Sequence, residues 1–389
     1  MILPVAAAIA ALGAAFVALE LAARAWLRSR ARYYVFAPHA RLEMELDRDV
    51  LPGLEPVVRF EVNADGERGD PVPDDWSRSY RVLVAGGSVA ECWLLDQASQ
   101  WPSVIQRLLS SPESLARLGV DRVHVGNVAR SLVDCRQIDL MFERILPRYR
   151  RLDVVVLLVG ASDVVHWLEK GTPERLEDEP IAAADCFDEH PEGPFGWGPR
   201  TLALRRIASR WKKRTLRPVE RRTRTGKRLA EARAMRARAQ VVLDRVPDPA
   251  PMLDHFEKYL RALVSRARSK ADRVIVVRQP WFEKDYSPEE AALMWNFGQG
   301  RPYRGEVTTY YSHRVVWELM RAIDQRTSRL ARELGAEEVD LMPLLERDLS
   351  VYYDELHHTP KGCEVVGLAV AQAILRPAAA ARAGAVSRR

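Results

Sequence analysis

Cysteine is scarce in this 389-residue chain and shows no pairing pattern: Cys92, Cys135, Cys186 and Cys363 lie far apart, with no CxxC. That excludes a zinc ribbon and leaves no disulfide framework, which fits a reducing compartment better than an oxidising one. Acidic residues are nearly missing from 200–238, where two stand against sixteen Lys and Arg. This local +14 leaves −8 for the rest of a chain whose total is +6. Any anionic partner belongs to that segment. No nucleic-acid module accompanies the charge, so nucleic acid is not the expected partner. Anionic lipid headgroups are, with a solvated helical arm as the alternative. What remains is an ordinary globular composition, 47% hydrophobic and 29% charged, long enough for one large or two ordinary domains.

Residues 2–19, ILPVAAAIAALGAAFVAL, hold 18 positions without a charge. As a helix they span about 27 Å, close to the hydrocarbon thickness of a bilayer, and residues 20–27 can extend them. Glu20 and Arg24 stand four apart and can pair, and Trp26 suits a membrane interface. We read 1–28 as a single membrane anchor. A cleaved signal peptide is one alternative, because Ala23-Arg24-Ala25 has small residues at cleavage offsets. It lacks a basic segment ahead of the apolar run. A buried core helix is the other alternative. Arg24, Arg28, Arg30 and Arg32 all follow the run, which the positive-inside rule would put in the cytoplasm, while the face of the membrane stays open.

Residues 29–79 read as a connector with turn signals such as NADGERGD. Beyond it the chain alternates. Short β-branched runs at 81–86, 122–127, 153–160, 272–280 and 336–342 suit strands buried on both faces. Helical segments are expected at 97–110, 132–149, 253–269 and 313–334, and a last helix opens at Thr359-Pro360, a cap followed by proline at the first position. The pattern predicts an α/β fold over 80–377 with a mainly parallel, doubly wound, five-stranded sheet. Sites in such sheets lie beyond the carboxyl ends of the strands, where Ser88, Asn127 and 160–163 fall. An insertion at 164–252 is acidic and Gly/Pro-rich first, then Arg-rich. Much of 200–246 is expected to be helical, interrupted at Pro218 and Gly226. The Ala/Arg-rich tail at 378–389 is expected to be disordered.

In VLVAGGSVAECW, residues 82–93, a strand-like run ends in Gly86-Gly87 and Ser88 opens a helix. A serine there is exposed on a sharp turn among unpaired N–H groups that can stabilise an oxyanion, although serine is also a favoured helix cap. In YYDELHHTPKG, residues 352–362, Asp354 and His357 stand three apart. His357 can serve as a base with Asp354 fixing its tautomer, or the two can be ordinary loop residues. The segment 280–313 carries Trp281, Phe282, Trp295, Tyr303, Tyr310, Arg301 and Arg304, which suits a lid or substrate wall, or else a packed loop. DCFDEH, residues 185–190, crowds its polar residues too closely for a metal site and reads as a solvated acidic loop.

These motifs, GGS after the first strand, Asn127 after the second, GASD at 160–163 after the third and DxxH before the last helix, resemble the SGNH or GDSL-type esterases and acylhydrolases. The resemblance covers roughly 80–375 and implies a flavodoxin-like three-layer domain that cleaves O-acyl esters through an acyl-serine, with no metal or cofactor. Carried over by position, Ser88 is the nucleophile, His357 the base and Asp354 its orienting carboxylate. His358 sits out of register. The oxyanion hole would combine the Ser88 N–H with Leu132 and Ser162. Asn127 and Asp163 would contact substrate, and Trp281 and Arg304, read from the aromatic and arginine content of 280–313 and not from a family motif, would line its wall. Two positions depart from the family pattern: Ser162 stands where an asparagine is usual, and Leu132 near a usual glycine. One lost oxyanion donor costs about 3 kcal/mol. A membrane-anchored ester hydrolase acting on an acylated carbohydrate or lipid is therefore expected. A degenerate binding or scaffolding domain and an O-acyltransferase using the same serine are the alternatives.

Overall fold

The computed structural model describes residues 2–30, 32–192, 195–215 and 221–377. Pro218 and the expected tail at 378–389 lie outside the described residues. In chain order the strands are β1 Arg41–Leu46, β2 Val57–Glu61, β3 Ser79–Gly86, β4 Arg122–Asn127, β5 Leu152–Val159, β6 Arg221–Thr225, β7 Val241–Leu243, β8 Ala271–Arg278, β9 Thr309–Tyr311 and β10 Glu337–Val339. The helices are α1 Ile2–Arg30, α2 Ser88–Glu91, α3 Trp101–Leu109, α4 Pro112–Leu118, α5 Cys135–Ile145, α6 Ala161–Glu169, α7 Ala183–Cys186, α8 Ala203–Thr215, α9 Lys227–Ala237, α10 Ala250–Arg268, α11 Pro288–Ala291, α12 His313–Glu333 and α13 Pro360–Leu375.

Five strands form the central sheet in the order β10-β8-β5-β3-β4, every neighbouring pair parallel. In β5, LDVVVLLV, only Asp153 escapes full burial, as befits a strand covered on both faces, where each fully buried aliphatic side chain stabilises by about 1.5–3 kcal/mol. The helices pack in two groups, α5, α6, α10 and α12 against one another, and α3 and α4 with α13, giving three layers. The chain steps outward in opposite directions from β3 and β5, so the crevice between their carboxyl ends is the switch point where α/β sheets form sites. Ser88 follows β3 and Ser162 follows β5.

All five expected strands occur, with shifts of a few residues at the ends. The helix expected over 132–149 starts only at Cys135, because Asp134 caps it and Gln137 completes a capping box. Thr359 caps α13 as expected, its side chain accepting from Gly362 N–H. The Arg-rich segment departs from expectation. It is helical in α8 and α9, but RRTRT at Arg221–Thr225 is a strand, because it pairs in parallel with β1, which also pairs with β2. Edge pairing decides there over composition. The connector therefore contributes two strands to a second, three-stranded sheet.

Helix α1 is long and apolar enough to cross a membrane, and Val5, Ile9, Leu12 and Phe16 along it are exposed. Its far end is held by α8. Ala23 and Leu27 pack on Ala203. Fully buried Glu20 accepts from Ala203 N–H (2.7 Å), Leu204 N–H (3.1 Å) and Arg24 Nε (2.9 Å).

Candidate active site

The turn after β3 depends on the absence of side chains. A Cβ on Gly86 would lie 2.3 Å from Leu158 O, and one on Gly87 would lie 2.7 Å from Ser162 Oγ. The strand ends at Gly86, and the extended Gly87 is the N-cap of α2, which begins at Ser88. The N–H groups of Ala90 and Glu91 return to Gly87 O (both 3.0 Å). Those of Ser88 and Val89 come first in the turn and have no acceptor within it. The other end of α2 is fixed by Arg68, which is fully buried and donates to Glu91 O (2.7 Å), Cys92 O (2.8 Å) and Leu95 O (2.6 Å). A cation on helix C-terminal carbonyls is favourable on both charge and hydrogen-bonding grounds.

The loop before α13 comes to this turn. Ser88 Oγ lies 2.8 Å from His357 Nε2, and His357 Nδ1 lies 2.8 Å from each oxygen of Asp354. Asp354 Oδ1 also accepts from the N–H groups of Leu356 (2.9 Å) and His357 (2.8 Å), and Oδ2 accepts from Trp295 Nε1 (2.9 Å). Burial opposes charge on Asp354, but His357 and these donors outweigh it and hold the carboxyl at about 2. Burial likewise opposes the imidazolium, yet Asp354 beside it raises the His357 pKa above the usual 6.5. His358, passed over in the sequence, is buried, and its pKa is pushed down to about 3, chiefly by desolvation. A hydroxyl, imidazole and carboxylate in this order can transfer a proton and expose an alkoxide-like nucleophile.

The residues expected at the oxyanion, Ser162 and Leu132, have fewer contacts of this kind. Ser162 Oγ abuts Gly87, in the space a side chain there would take. Leu132 is 42% exposed and holds φ +64, a left-handed conformation that favours glycine. The turn before it is clamped: Glu91 accepts from Ser131 N–H (2.7 Å) and from Ser131 Oγ. Burial raises the Glu91 pKa. Asp163 accepts from Cys135 N–H (3.3 Å to each oxygen), tying α6 to the start of α5. Desolvation and then Asp134 push its pKa well up. A cleft lined by Ser88, Val133, Ile138, Leu158, Ser162 and Gln279, among others, opens beside the nucleophile.

Other expected contacts fall elsewhere. Asn127 is fully buried; its amide donates to Ala90 O (2.8 Å) and Gln100 Oε1 (3.1 Å) and accepts from Ala129 N–H (2.9 Å). It holds α2 from below and does not face the cleft. Trp281 is buried, donates to Glu283 (2.8 Å), and lines a different cavity with Phe282, Tyr286 and His313. Arg304 stands exposed on the turn closed by its N–H to Arg301 O. The segment 280–313, with α11 and β9 inside it, is packed against the Asp354 loop and joined to it by Phe282 N–H to Glu355 O (2.8 Å). Arg68, Glu91, Gln279 and the role of Trp295 were missed. Arg68 lies in the polar turn stretch NADGERGD and Glu91 is a lone charge among Ala90, Cys92 and Trp93, and neither position carries a motif that marks it as buried. Among the described residues no cluster of three or more His, Cys, Asp or Glu is placed to hold a metal ion.

No family model matches the chain. No curated protein matches it either. Solved structures with a similar chain path include an acetylxylan esterase from Geobacillus stearothermophilus, 14% identical over 78% of this chain and 97% of that one, at a TM-score of 0.40. An acetyl xylan esterase is 13% identical over 75% of this chain and 98% of its own, at 0.40. An alpha/beta hydrolase enzyme from the metagenome of Lake Arreo, Spain, is 12% identical over 77% and 97%, at 0.40.

Proposed function

We propose that this chain is a serine ester hydrolase of the SGNH type, which cleaves an O-acyl ester of a carbohydrate or lipid through an acyl-serine. The observation that carries the reading is the unbroken chain from Ser88 Oγ through His357 to Asp354, each link 2.8 Å. His357 takes the Ser88 proton as Oγ attacks the ester carbonyl, and returns it to the departing alkoxide. Water, activated by the same imidazole, then releases the acid. Developing negative charge on the carbonyl oxygen would meet the Ser88 N–H, the Leu132 N–H and the Ser162 hydroxyl. The apolar Val133, Ile138 and Leu158 wall beside Ser88 suits an acyl group. Asp163 would shape that pocket from the α6 side.

Intact-mass labelling of the full chain with a fluorophosphonate, beside Ser88→Ala, tests the proposal. One adduct on the wild type, absent from the variant, is expected; a folded wild type that takes none returns the chain to a binding or scaffolding role.

The same reading makes α1 a single-pass anchor and gives the first part of the basic segment 200–238, residues 200–215, a place against anionic headgroups, since the end of α1 holds the start of α8. Hydrogen exchange of the full chain in nanodiscs checks this. Protection of 200–215 is expected with anionic lipid only and lost at high salt; equal protection in neutral lipid refutes it.

A further inference from the structure

Of the sixteen Lys and Arg in 200–238, Arg233 and Arg236 on α9 are turned inward and hold main-chain carbonyls. Arg233 donates to Leu293 O (3.0 Å), Tyr353 O (3.2 Å) and Val50 O. Arg236 donates to Tyr311 O (3.1 Å) and Asn296 O. Leu293 and Asn296 flank Trp295. From the other side, Glu355 Oε1 accepts the N–H groups of Trp295 and Asn296, both at 2.8 Å. The next residue, Phe297, holds φ +67, a strained conformation for an aromatic, with its carbonyl bound by Tyr311 N–H (3.0 Å). Strain of this kind persists only where the surroundings over-determine it. What the clamp delivers is one donor: Trp295 Nε1, 2.9 Å from Asp354 Oδ2.

We infer that Trp295 is a positioning residue for the acid–base pair, fixing the Asp354 carboxylate against His357, and that Arg233 and Arg236 of the Arg-rich arm, with Glu355, hold the indole in place. This goes beyond the proposed hydrolase and shares its site. The charged and titratable groups facing the pair are Tyr353, Glu355 and His358 of its own loop, Cys92 after α2, Arg233 of α9 and Tyr286 ahead of α11. Glu355 and Cys92 raise the His357 pKa, as Asp354 does. Trp295 donates without bearing charge. Its bond counts most when His357 is neutral and Asp354 lacks the imidazolium, so losing it favours protonated His357.

The test is NMR titration of the full-length chain in micelles, with labelled histidine and tryptophan. In Trp295→Phe, which keeps an aromatic and loses the N–H, His357 is expected to titrate higher than in wild type by about half a unit or more. Hydrolysis would lose kcat with KM held. A folded variant whose His357 titrates within about 0.2 unit of wild type overturns the inference. If the variant does not fold, the wild type decides. The Trp295 indole N–H must shift as His357 titrates, and an indole signal blind to that titration overturns it equally. Arg236→Lys tests the strap: a smaller rise in the His357 pKa is expected, and none in a folded protein removes the arginines from the account. These readouts need no turnover. If the wild type refuses fluorophosphonate while the indole follows His357, the hydrolase reading falls and this one stands.

Discussion

Asp354 receives four donors, from Leu356, His357 (twice) and Trp295, within 2.9 Å and in full burial. The residues proposed to meet the oxyanion are a half-exposed leucine in a left-handed turn and a short hydroxyl against Gly87. The Asp354–His357 pair is fixed by bonds from distant parts of the chain, whereas the turn before Leu132 is held by Glu91, which accepts from Ser131 N–H, and by Arg130 N–H to Gly86 O. On the proposed reading, such a site would activate its nucleophile more firmly than it stabilises the charge it generates. Rate should therefore be limited by the second side. Changes on the first side should be catastrophic, and changes on the second graded.

The largest effect belongs to Asp354→Asn. The amide leaves the loop in place but no longer stabilises the imidazolium, and kcat should fall about 10⁴-fold. Its pH profile sharpens the comparison. The base must be neutral to take the Ser88 proton, so activity is lost as pH falls through the His357 pKa, which in the wild type lies above 6.5 because of Asp354. Removing the carboxylate should move that acid limb to lower pH. A limb that stays put in kcat/KM would mean that another group governs it.

Ser162→Ala should cost less, about 10²-fold in kcat at most, with KM little changed, because the hydroxyl donates only as charge develops. A loss below about threefold would leave the oxyanion to backbone N–H groups alone, and the two sides would then differ even more than the geometry suggests.

The contrast also explains what could be read from sequence. Asp354 and His357 were legible because they are three apart in one loop, and Ser88 because paired glycines after an apolar run force a turn. The sheet was legible because strands buried on both faces are continuous apolar runs. Trp295 and Arg233 were not, since their bonds to Asp354 and Tyr353 span 59 and 120 positions and no local period encodes such a contact. A charge count also could not separate the inward Arg233 and Arg236 from their solvated neighbours. Asn127 was placed correctly at a strand end, but which way its amide turned depended on Ala90 and Gln100.

The smallest effect is the most specific to this chain. Leu132 bears a left-handed conformation that costs an L-residue about 1–2 kcal/mol, while glycine would pay up to about 1 kcal/mol through its looser unfolded chain. With 42% of Leu132 exposed, little burial is lost on removing the side chain. Leu132→Gly should therefore leave stability unchanged or raise it by less than about 1 kcal/mol, a shift in Tm of only a few degrees. Its N–H keeps the same direction, so kcat should change less than about threefold. A fall in Tm of more than about 5 °C would show that the leucine side chain, and not Glu91, holds this turn. A tenfold gain in kcat would show that the native turn carries its donor out of line, and that the oxyanion side is what keeps this site slow.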